Sequence, residues 1–293
     1  MKLAVYGRNF PKKFNGVAIQ FFELLRTAGI QIYINEKFHD FISVNLAYKL
    51  PVEGVYQQHL AADINFDMLI SIGGDGTFLE AVTLIYNRDI PVLGINTGKL
   101  GFLATVSHDQ VIGAVNQIVE KKYSLSKRWL LGMETGCEIL SPYSFALNEF
   151  TIQKLHMLNM IKIKVFCNDE FVNTYWADGI IIATPTGSTA YSLSCNGPIL
   201  SPESDCFLIT PIATHNLSVR PLVIPANATI RLQADGPVKE LLATLDYRSQ
   251  AVKSNTEFTI KKSEFHINVV NLSQNYYFST LREKLMWGVD VRN

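Results

Sequence analysis

The amino-acid sequence predicts an α/β N-terminal domain with a doubly wound parallel sheet, followed by a β-rich, mostly antiparallel C-terminal domain. Three observations predict this fold class. Residues 1–102 alternate between strand and helix signals, later residues alternate apolar with charged side chains, and 293 residues exceed the usual size of one domain. We place the domains at residues 1–102 and 103–271, and expect the tail, about residues 272–293, to pack back on the first domain.

The first domain begins with a short apolar strand at residues 3–6. A helix is predicted over residues 14–28 from its apolar face, and Gly29 closes it. Further strands are predicted at residues 31–35, 67–72 and 91–95, with a helix over residues 77–86 between the last two. Ligands of such sheets bind beyond the carboxyl ends of the strands, where the loops at residues 73–76 and 96–101 fall.

The second domain is predicted from alternation of period two. Residues 161–165 (IKIKV) alternate apolar and charged side chains, Asn168 and Asp169 supply a turn, and residues 170–176 return as the hairpin partner. The same pattern continues at residues 230–234, 241–245 and 266–270. A helix is predicted at residues 111–121, near the domain boundary.

Composition excludes several classes of function. Lys plus Arg and Asp plus Glu are both 26, so no broad charge favours nucleic acid or an anionic membrane surface. No apolar run is long enough for a signal peptide or a membrane helix, which predicts a soluble cytoplasmic protein. The cysteines lack zinc-site spacing and are expected to be free thiols; they are Cys137, Cys167, Cys195 and Cys206.

The glycine-rich segment at residues 71–78 (SIGGDGTF) is the strongest local signal. Its glycines lie in a strand-to-helix turn, where backbone N–H groups can approach phosphate oxygens. Asp75 adds a negative charge that phosphate binding alone does not require. A carboxylate there fits a base for an attacking hydroxyl, or a contributor to a metal site. The alternative is an ordinary tight turn in which Asp75 caps the next helix.

A second segment, residues 177–194, combines an apolar strand with a loop of small hydroxyl residues and then Tyr191. Such a loop brings hydroxyls and backbone amides close to a polar ligand, and the Tyr191 ring can stack on a base or hydrogen-bond a ribose. The alternative is a turn whose hydroxyls cap the next helix.

Several isolated polar residues are weaker candidates. Asn148 and Glu149 follow an apolar run, and an amide beside a carboxylate can recognise a ribose diol or an adenine edge. The alternative for this pair is two polar residues on an edge strand. Asp178 and Asp246 raise the same question, and His215 is expected to be a hydrogen-bonded loop histidine.

Together these segments resemble the NAD kinase family, in which ATP phosphorylates the 2′-hydroxyl of the adenosine ribose of NAD to give NADP. The resemblance covers about residues 67–247, with the motifs in the family's order. The matching segments are residues 73–76 (GGDG), 94–103 (GINTGKLGFL), 147–149 (LNE), 177–179 (ADG) with 184–192 (TPTGSTAYS), 196–198 (NGP) and 217–221 (LSVRP).

The resemblance implies roles for particular residues. Asp75 is implied to be the catalytic general base, and Gly73, Gly74 and Gly76 are implied to bind phosphates. The residues implied to bind NAD are Asp75, Gly76, Asn148, Glu149, Asp178, Thr186, Thr189, Ala190, Tyr191, Ser192, Leu193, Ser194 and Ala213. The family also implies a site between the two domains and a homo-oligomer, either dimer or tetramer.

No Walker-type phosphate loop occurs in the sequence, so glycine-loop amides and a divalent ion, Mg²⁺ above all, are expected to neutralise the triphosphate of ATP. The expected ligands are ATP and NAD, with no nucleic acid, no membrane and no protein-held metal site.

Two alternative functions are also compatible with the sequence. One is a lipid kinase or a phosphofructokinase with the same glycine-aspartate loop, and the other is a non-catalytic regulator that binds NAD(H) or NADP.

Overall fold

A computed structural model of the chain describes residues 1–46, 48–136, 140, 142–155, 160–235, 239–272 and 277–288. The chain forms two compact units. The first unit comprises Met1–Lys127 with Ile267–Asn293, and the second comprises Arg128–His266.

The strands and helices are numbered along the chain. The strands are β1 (Lys2–Gly7), β2 (Gln31–Asn35), β3 (Gly54–Tyr56), β4 (Met68–Gly73), β5 (Val92–Asn96), β6 (Tyr123–Glu134), β7 (Phe145–Ala146), β8 (Glu149–Lys154), β9 (Ile161–Cys167), β10 (Glu170–Ala177), β11 (Gly179–Ala183), β12 (Cys206–Ile212), β13 (Leu222–Pro225), β14 (Ile230–Asp235), β15 (Glu240–Leu245), β16 (Arg248–Lys253) and β17 (Glu257–Leu272). The helices are α1 (Asn15–Thr27), α2 (Glu36–Leu46), α3 (Asp75–Ile85), α4 (Val111–Val119), α5 (Tyr191–Ser194) and α6 (Tyr277–Leu285). Short 3₁₀ turns occur at Lys12–Phe14, His108–Gln110 and Thr186–Thr189.

The first unit contains a parallel sheet with the strand order β3-β2-β1-β4-β5, and the end of β17 pairs with β5. Every residue of β4 is buried, as expected for a central strand that is covered on both faces. Met68, Ile70 and Ile72 belong to one core cluster with side chains from α1, α2 and α4. Helix α3 packs on β4 and β5. The predicted doubly wound α/β fold is therefore confirmed.

The second unit is built from antiparallel strands. One sheet has the order β13-β12-β11-β8-β15-β16, and β10, β9, β14 and the first part of β17 pair in a second ladder. Alternate residues of both ladders share one apolar core, to which β8 contributes Phe150 and Ile152, and β9 contributes Ile161 and Ile163. Two packed antiparallel layers of this kind satisfy the predicted period-two pattern.

Most predicted elements of the first unit are present with small shifts of their ends. Gly29 follows α1 with φ +68°, a left-handed conformation that suits glycine at a helix end. Helix α2 and strand β3 were not predicted. The predicted boundary lies at residue 102, whereas the first unit continues to Lys127 because α4 packs on α1.

Candidate active site

The predicted glycine loop connects β4 to α3 in the first unit. Gly73 ends the strand, and Gly74 and Gly76 are exposed at its carboxyl end. A side chain added at Gly74 or Gly76 would meet no heavy atom within 4 Å. Open space at these backbone positions is what a phosphate-binding loop requires, since its N–H groups must be reached by the ligand.

Asp75 is the first residue of α3, and Gly74 occupies the N-cap position without a side-chain cap. The alternative in which Asp75 caps its own helix is therefore wrong. The Asp75 carboxylate instead accepts hydrogen bonds from the backbone N–H groups of Phe102 at 2.8 Å, Leu103 at 3.0 Å and Ala104 at 2.9 Å. A carboxylate has about four acceptor positions, so the three bonds fix its orientation and leave one position on Oδ2 without a partner among the described residues.

The loop after β5 is shaped to hold this carboxylate. A Cβ atom added at Gly101 would lie 1.9 Å from Asp75 Oδ1, and one added at Gly94 would lie 2.6 Å from the Cα atom of Ala104. Both contacts are far closer than real Cβ atoms permit, so glycine lets the loop approach the carboxylate. The sequence predicted the position of this loop beside the glycine turn but not its hydrogen bonds to Asp75.

Asn148 and Glu149 lie at the start of β8 in the second unit. Strand β8 pairs with β11 on one side and β15 on the other, so it is an interior strand. The two residues are only 7% and 8% exposed, respectively. The alternative of a polar pair on an edge strand is therefore wrong, because the pairing of β15 with β8 places Glu149 inside the sheet.

The Glu149 carboxyl group is a buried titratable group. Its Oε2 atom is buried without a hydrogen-bond partner among the described residues. Burial, together with the nearby Asp246 carboxylate, raises the pKa of Glu149 to about 8. Native structures leave few buried polar atoms unpaired, so this oxygen is an unusual feature of the site.

Asp246 organises the backbone beside Glu149. It lies in the turn between β15 and β16 with φ +53°, and its carboxylate accepts the backbone N–H groups of Leu147, Asn148 and Glu149. The pKa of Asp246 is raised, because the effect of burial outweighs the opposing effects of these three bonds and of the Arg248 guanidinium. The described contacts make Asp246 a structural anchor for the loop that holds the Asn148 and Glu149 pair.

The buried Glu149 carboxyl group predicts a pH-dependent stability. Between the ordinary pKa of 4.5 and about 8, the folded chain holds a proton that the unfolded chain has released, so stability falls as the pH rises. Because one pKa unit corresponds to about 1.4 kcal/mol, we expect Glu149→Gln to be more stable than the wild type by ~5 kcal/mol at pH 9 and nearly equal to it below pH ~4.5. Chemical denaturation at both pH values measures this difference.

Glu240→Gln serves as the matched control, because Glu240 is an exposed glutamate on β15 of the same unit. The control should leave the dependence on pH unchanged. An equal effect of Glu149→Gln at both pH values would show that Glu149 does not hold the proton.

The loop after β11 directs most of its hydroxyl groups inward. Thr184 Oγ1 donates to the Leu147 carbonyl at 2.6 Å, and the hydroxyls of Ser192 and Thr210 pair at 2.8 Å. The N-cap residues Pro185 and Ala190 make no side-chain cap, but Thr184 Oγ1 accepts the Gly187 backbone N–H at 3.1 Å in the first turn of Thr186–Thr189. The helix-capping alternative therefore holds for Thr184. These contacts hold the loop against the backbone just before β8 and against β12, and they leave Tyr191 and Ser194 exposed.

Asp178 lies in the same unit, between β10 and β11. Its carboxylate pairs with Lys154 Nζ at 2.5 Å, a partner that the sequence did not predict. The Asp178 backbone N–H bonds the Ile212 carbonyl at 2.9 Å, which brings Asp178 next to Ala213. Ala213 is exposed, with φ +46°. The structure thus brings Asp178 and Ala213 together.

The remaining predictions concern isolated groups. Cys167, Cys195 and Cys206 are free thiols, and Cys137 lies outside the described residues. His215 is an exposed loop residue whose backbone N–H donates a hydrogen bond to the Trp176 carbonyl.

The described residues contain no cluster of three or more His, Cys, Asp or Glu side chains that could hold a metal ion. Among the described helices, none combines the length and apolar character needed to span a membrane.

The family models and the curated relatives that match this chain all belong to one class of protein. A two-domain kinase fold is indicated by two family models, the ATP-NAD kinase N-terminal domain, which matches residues 16–123, and the ATP-NAD kinase C-terminal domain, which matches residues 147–272. NAD kinases of Flavobacterium psychrophilum and Cytophaga hutchinsonii are 45% and 40% identical, with 100% of both chains covered in each comparison. The chain therefore belongs to the NAD kinase family and is an enzyme of that family.

Solved structures agree with this assignment. The crystal structure of an NAD kinase from Archaeoglobus fulgidus in complex with ATP matches with a TM-score of 0.76 and 26% identity, covering 98% of this chain and 99% of that chain. Yeast NADH kinase complexed with NADH matches with a TM-score of 0.85 and 24% identity, covering 100% of this chain and 89% of that chain, which is a likeness of fold.

Proposed function

We propose that this chain transfers the γ-phosphate of ATP to the 2′-hydroxyl of the adenosine ribose of NAD, giving NADP. The observation that carries the mechanism is the Asp75 carboxylate, which three backbone N–H groups hold in a glycine-rich turn. A sugar hydroxyl is a poor nucleophile at neutral pH, so it needs a positioned base. The open acceptor position on Asp75 Oδ2 suits the hydroxyl proton, and Asp75 is proposed as the general base.

The phosphate groups are proposed to lie against the glycine loop. Gly74 and Gly76 are exposed at the carboxyl end of β4, where Gly74 is the N-cap of α3 and Gly76 lies in its first turn, and a helix N-terminus favours negative charge. Gly73 is proposed to help shape the turn beside the phosphates.

NAD is proposed to contact the second unit through the loop of residues 184–194 and through Asn148 and Glu149. The orphaned Oε2 atom of Glu149 supports this role, because a ribose hydroxyl would supply the missing partner. The other proposed NAD contacts are Asp75, Gly76, Asp178, Thr186, Thr189, Ala190, Tyr191, Ser192, Leu193, Ser194 and Ala213. We also propose a homo-oligomer, dimer or tetramer, which light scattering of the purified protein tests.

Magnesium fits this arrangement as an ion carried by the substrate phosphates. Mg²⁺ usually keeps several waters and binds one or two carboxylates plus phosphate oxygens, so it needs no dedicated protein cage. Asp75, the acidic side chain of the glycine loop, is the residue that would help the substrate phosphates hold such an ion. When bound, the ion supplies charge neutralisation to the phosphates.

A panel of acceptors tests the proposed substrate. With labelled γ-phosphate on ATP, we expect label on NAD and none on fructose 6-phosphate, a diacylglycerol or a sphingoid base. Label on a lipid or sugar acceptor alone would favour another kinase with the same glycine-aspartate loop. Binding of NADP without transfer to any acceptor would favour a regulatory role.

A further inference from the structure

Arg8 lies at the same edge of the sheet as the glycine loop. Strand β1 pairs in parallel with β4, with Gly7 opposite Ile72, and the Arg8 backbone N–H donates to the Ile72 carbonyl at 3.2 Å. The residue after β1 is therefore next to Gly73, where β4 gives way to the glycine turn. The carboxyl ends of neighbouring parallel strands form the ligand edge of a doubly wound sheet.

The Arg8 guanidinium is fixed by Glu80 of α3. Arg8 Nε donates to Glu80 Oε2 at 2.8 Å, and Arg8 Nη2 donates to Glu80 Oε1 at 2.6 Å. The Tyr6 hydroxyl donates to the same Oε2 atom at 2.6 Å. Burial, together with hydrogen bonding to Glu80, raises the pKa of Tyr6, so its hydroxyl keeps its proton and remains a donor.

This ion pair differs from an ordinary surface pair. The Glu80 side chain is only 17% exposed, whereas that of Arg8 is 63% exposed. The guanidinium has five N–H donors, and the bidentate pair uses two of them, so three remain directed away from Glu80. The exposed Arg8 guanidinium is held by the partly buried Glu80 carboxylate, which also accepts the Tyr6 hydroxyl. Its orientation is therefore already set, so the guanidinium is pre-organised to bind an anion.

The expected substrate needs such a group. The chain has a formal net charge of +0 and no Walker-type lysine, and Asp75 places a negative charge inside the glycine loop. A triphosphate at that loop would therefore gain from a fixed positive charge nearby.

We propose that Arg8 binds phosphate oxygens of ATP, and that Glu80 and Tyr6 are positioning residues that hold its guanidinium. This inference rests on the proposed phosphate-binding role of the glycine loop. It assigns ATP recognition in part to the loop after β1, outside the segments that carry the family resemblance.

Arg8→Gln removes the charge and tests the proposal directly. We expect the KM for ATP, and the Kd for the non-hydrolysable analogue AMP-PNP with Mg²⁺ in calorimetry, to rise about tenfold or more. The KM for NAD should stay within about twofold. The matched control is Arg26→Gln, because Arg26 also pairs with a glutamate, Glu23, and has a similar exposure of 59%. The control should change neither constant.

Glu80→Gln separates positioning from charge, since Arg8 keeps its charge while its partner loses one. We expect a smaller rise in the Kd for AMP-PNP than in Arg8→Gln, with the NAD constant unchanged. An unchanged Kd for AMP-PNP in Arg8→Gln would overturn the proposal. An equal rise in the KM for ATP and the KM for NAD would overturn it as well. If the wild type binds AMP-PNP without phosphorylating NAD, the proposed function fails while the Arg8 test still stands.

Discussion

Replacing Asp75 with asparagine is expected to lower kcat for NADP formation by about 10³-fold or more, while the Kd for NAD changes by less than about tenfold. The reason is chemical, because an amide cannot accept the hydroxyl proton. Turnover and equilibrium binding of NAD, measured on the same preparation, give both numbers. A variant that keeps kcat within about tenfold of the wild type would show that Asp75 is not the base.

The Asp75→Asn variant also changes a hydrogen-bonded loop. Oδ1 accepts two backbone N–H groups and Oδ2 accepts one, whereas asparagine offers only one acceptor oxygen. Its amide would face at least one N–H donor, so some loss of stability is expected beside the loss of activity. Hydrogen exchange at residues 102–104 and the melting temperature report this structural part.

Asp67→Asn is a suitable control for the loss of stability that an asparagine causes at a hydrogen-bonded aspartate. Asp67 immediately precedes β4, and its carboxylate accepts the Lys2 backbone N–H at 2.6 Å. The change has the same chemistry at the amino end of the same strand, away from the ligand edge. We expect it to affect the melting temperature more than kcat.

Gly101→Ala is expected to inactivate the enzyme without removing any functional side chain. Its new Cβ atom would lie 1.9 Å from Asp75 Oδ1 and 2.7 Å from Asp75 Cγ, so the carboxylate must move from its three N–H donors. Displacement of a catalytic group by about 1 Å can cost about 10²-fold in rate. We expect kcat/KM to fall by that order, together with a lower melting temperature.

Gly98→Ala is the matched control because it lies in the same loop. Its added Cβ atom would have Asn96 Oδ1 as the nearest atom at 3.9 Å, an ordinary contact. The control should keep nearly full activity. Near-normal kcat/KM in Gly101→Ala would mean that the position of the Asp75 carboxylate does not limit the reaction.

The sequence predicted the local features of the first unit well. The alternation of strand and helix signals gave the parallel sheet, and the position of Asp75 in a strand-to-helix turn follows from neighbouring residues alone. Helix α2 was missed because its segment (EKFHDFISVNL) mixes polar and apolar residues and buries only Phe38 and Ile42. Strand β3 is three residues long, too short for a periodic signal.

The missed features of the candidate site depend on contacts distant in sequence. Asp75 and its three N–H donors are 27 to 29 residues apart. Asp246 is 97 to 99 residues from the backbone groups that it holds beside Glu149. Periodicity and turn chemistry report only neighbours along the chain, so they cannot give the burial of Glu149 or the pairing of Asp178 with Lys154.

The most direct measurement is NADP formation by the purified wild-type protein from NAD, ATP and Mg²⁺, read through an NADP-specific dehydrogenase. We expect NADP with the wild type and none above background with Asp75→Asn. Absence of NADP with the folded wild-type protein would contradict NAD 2′-phosphorylation as its reaction. Equal NADP formation by both proteins would instead remove Asp75 from the proton transfer.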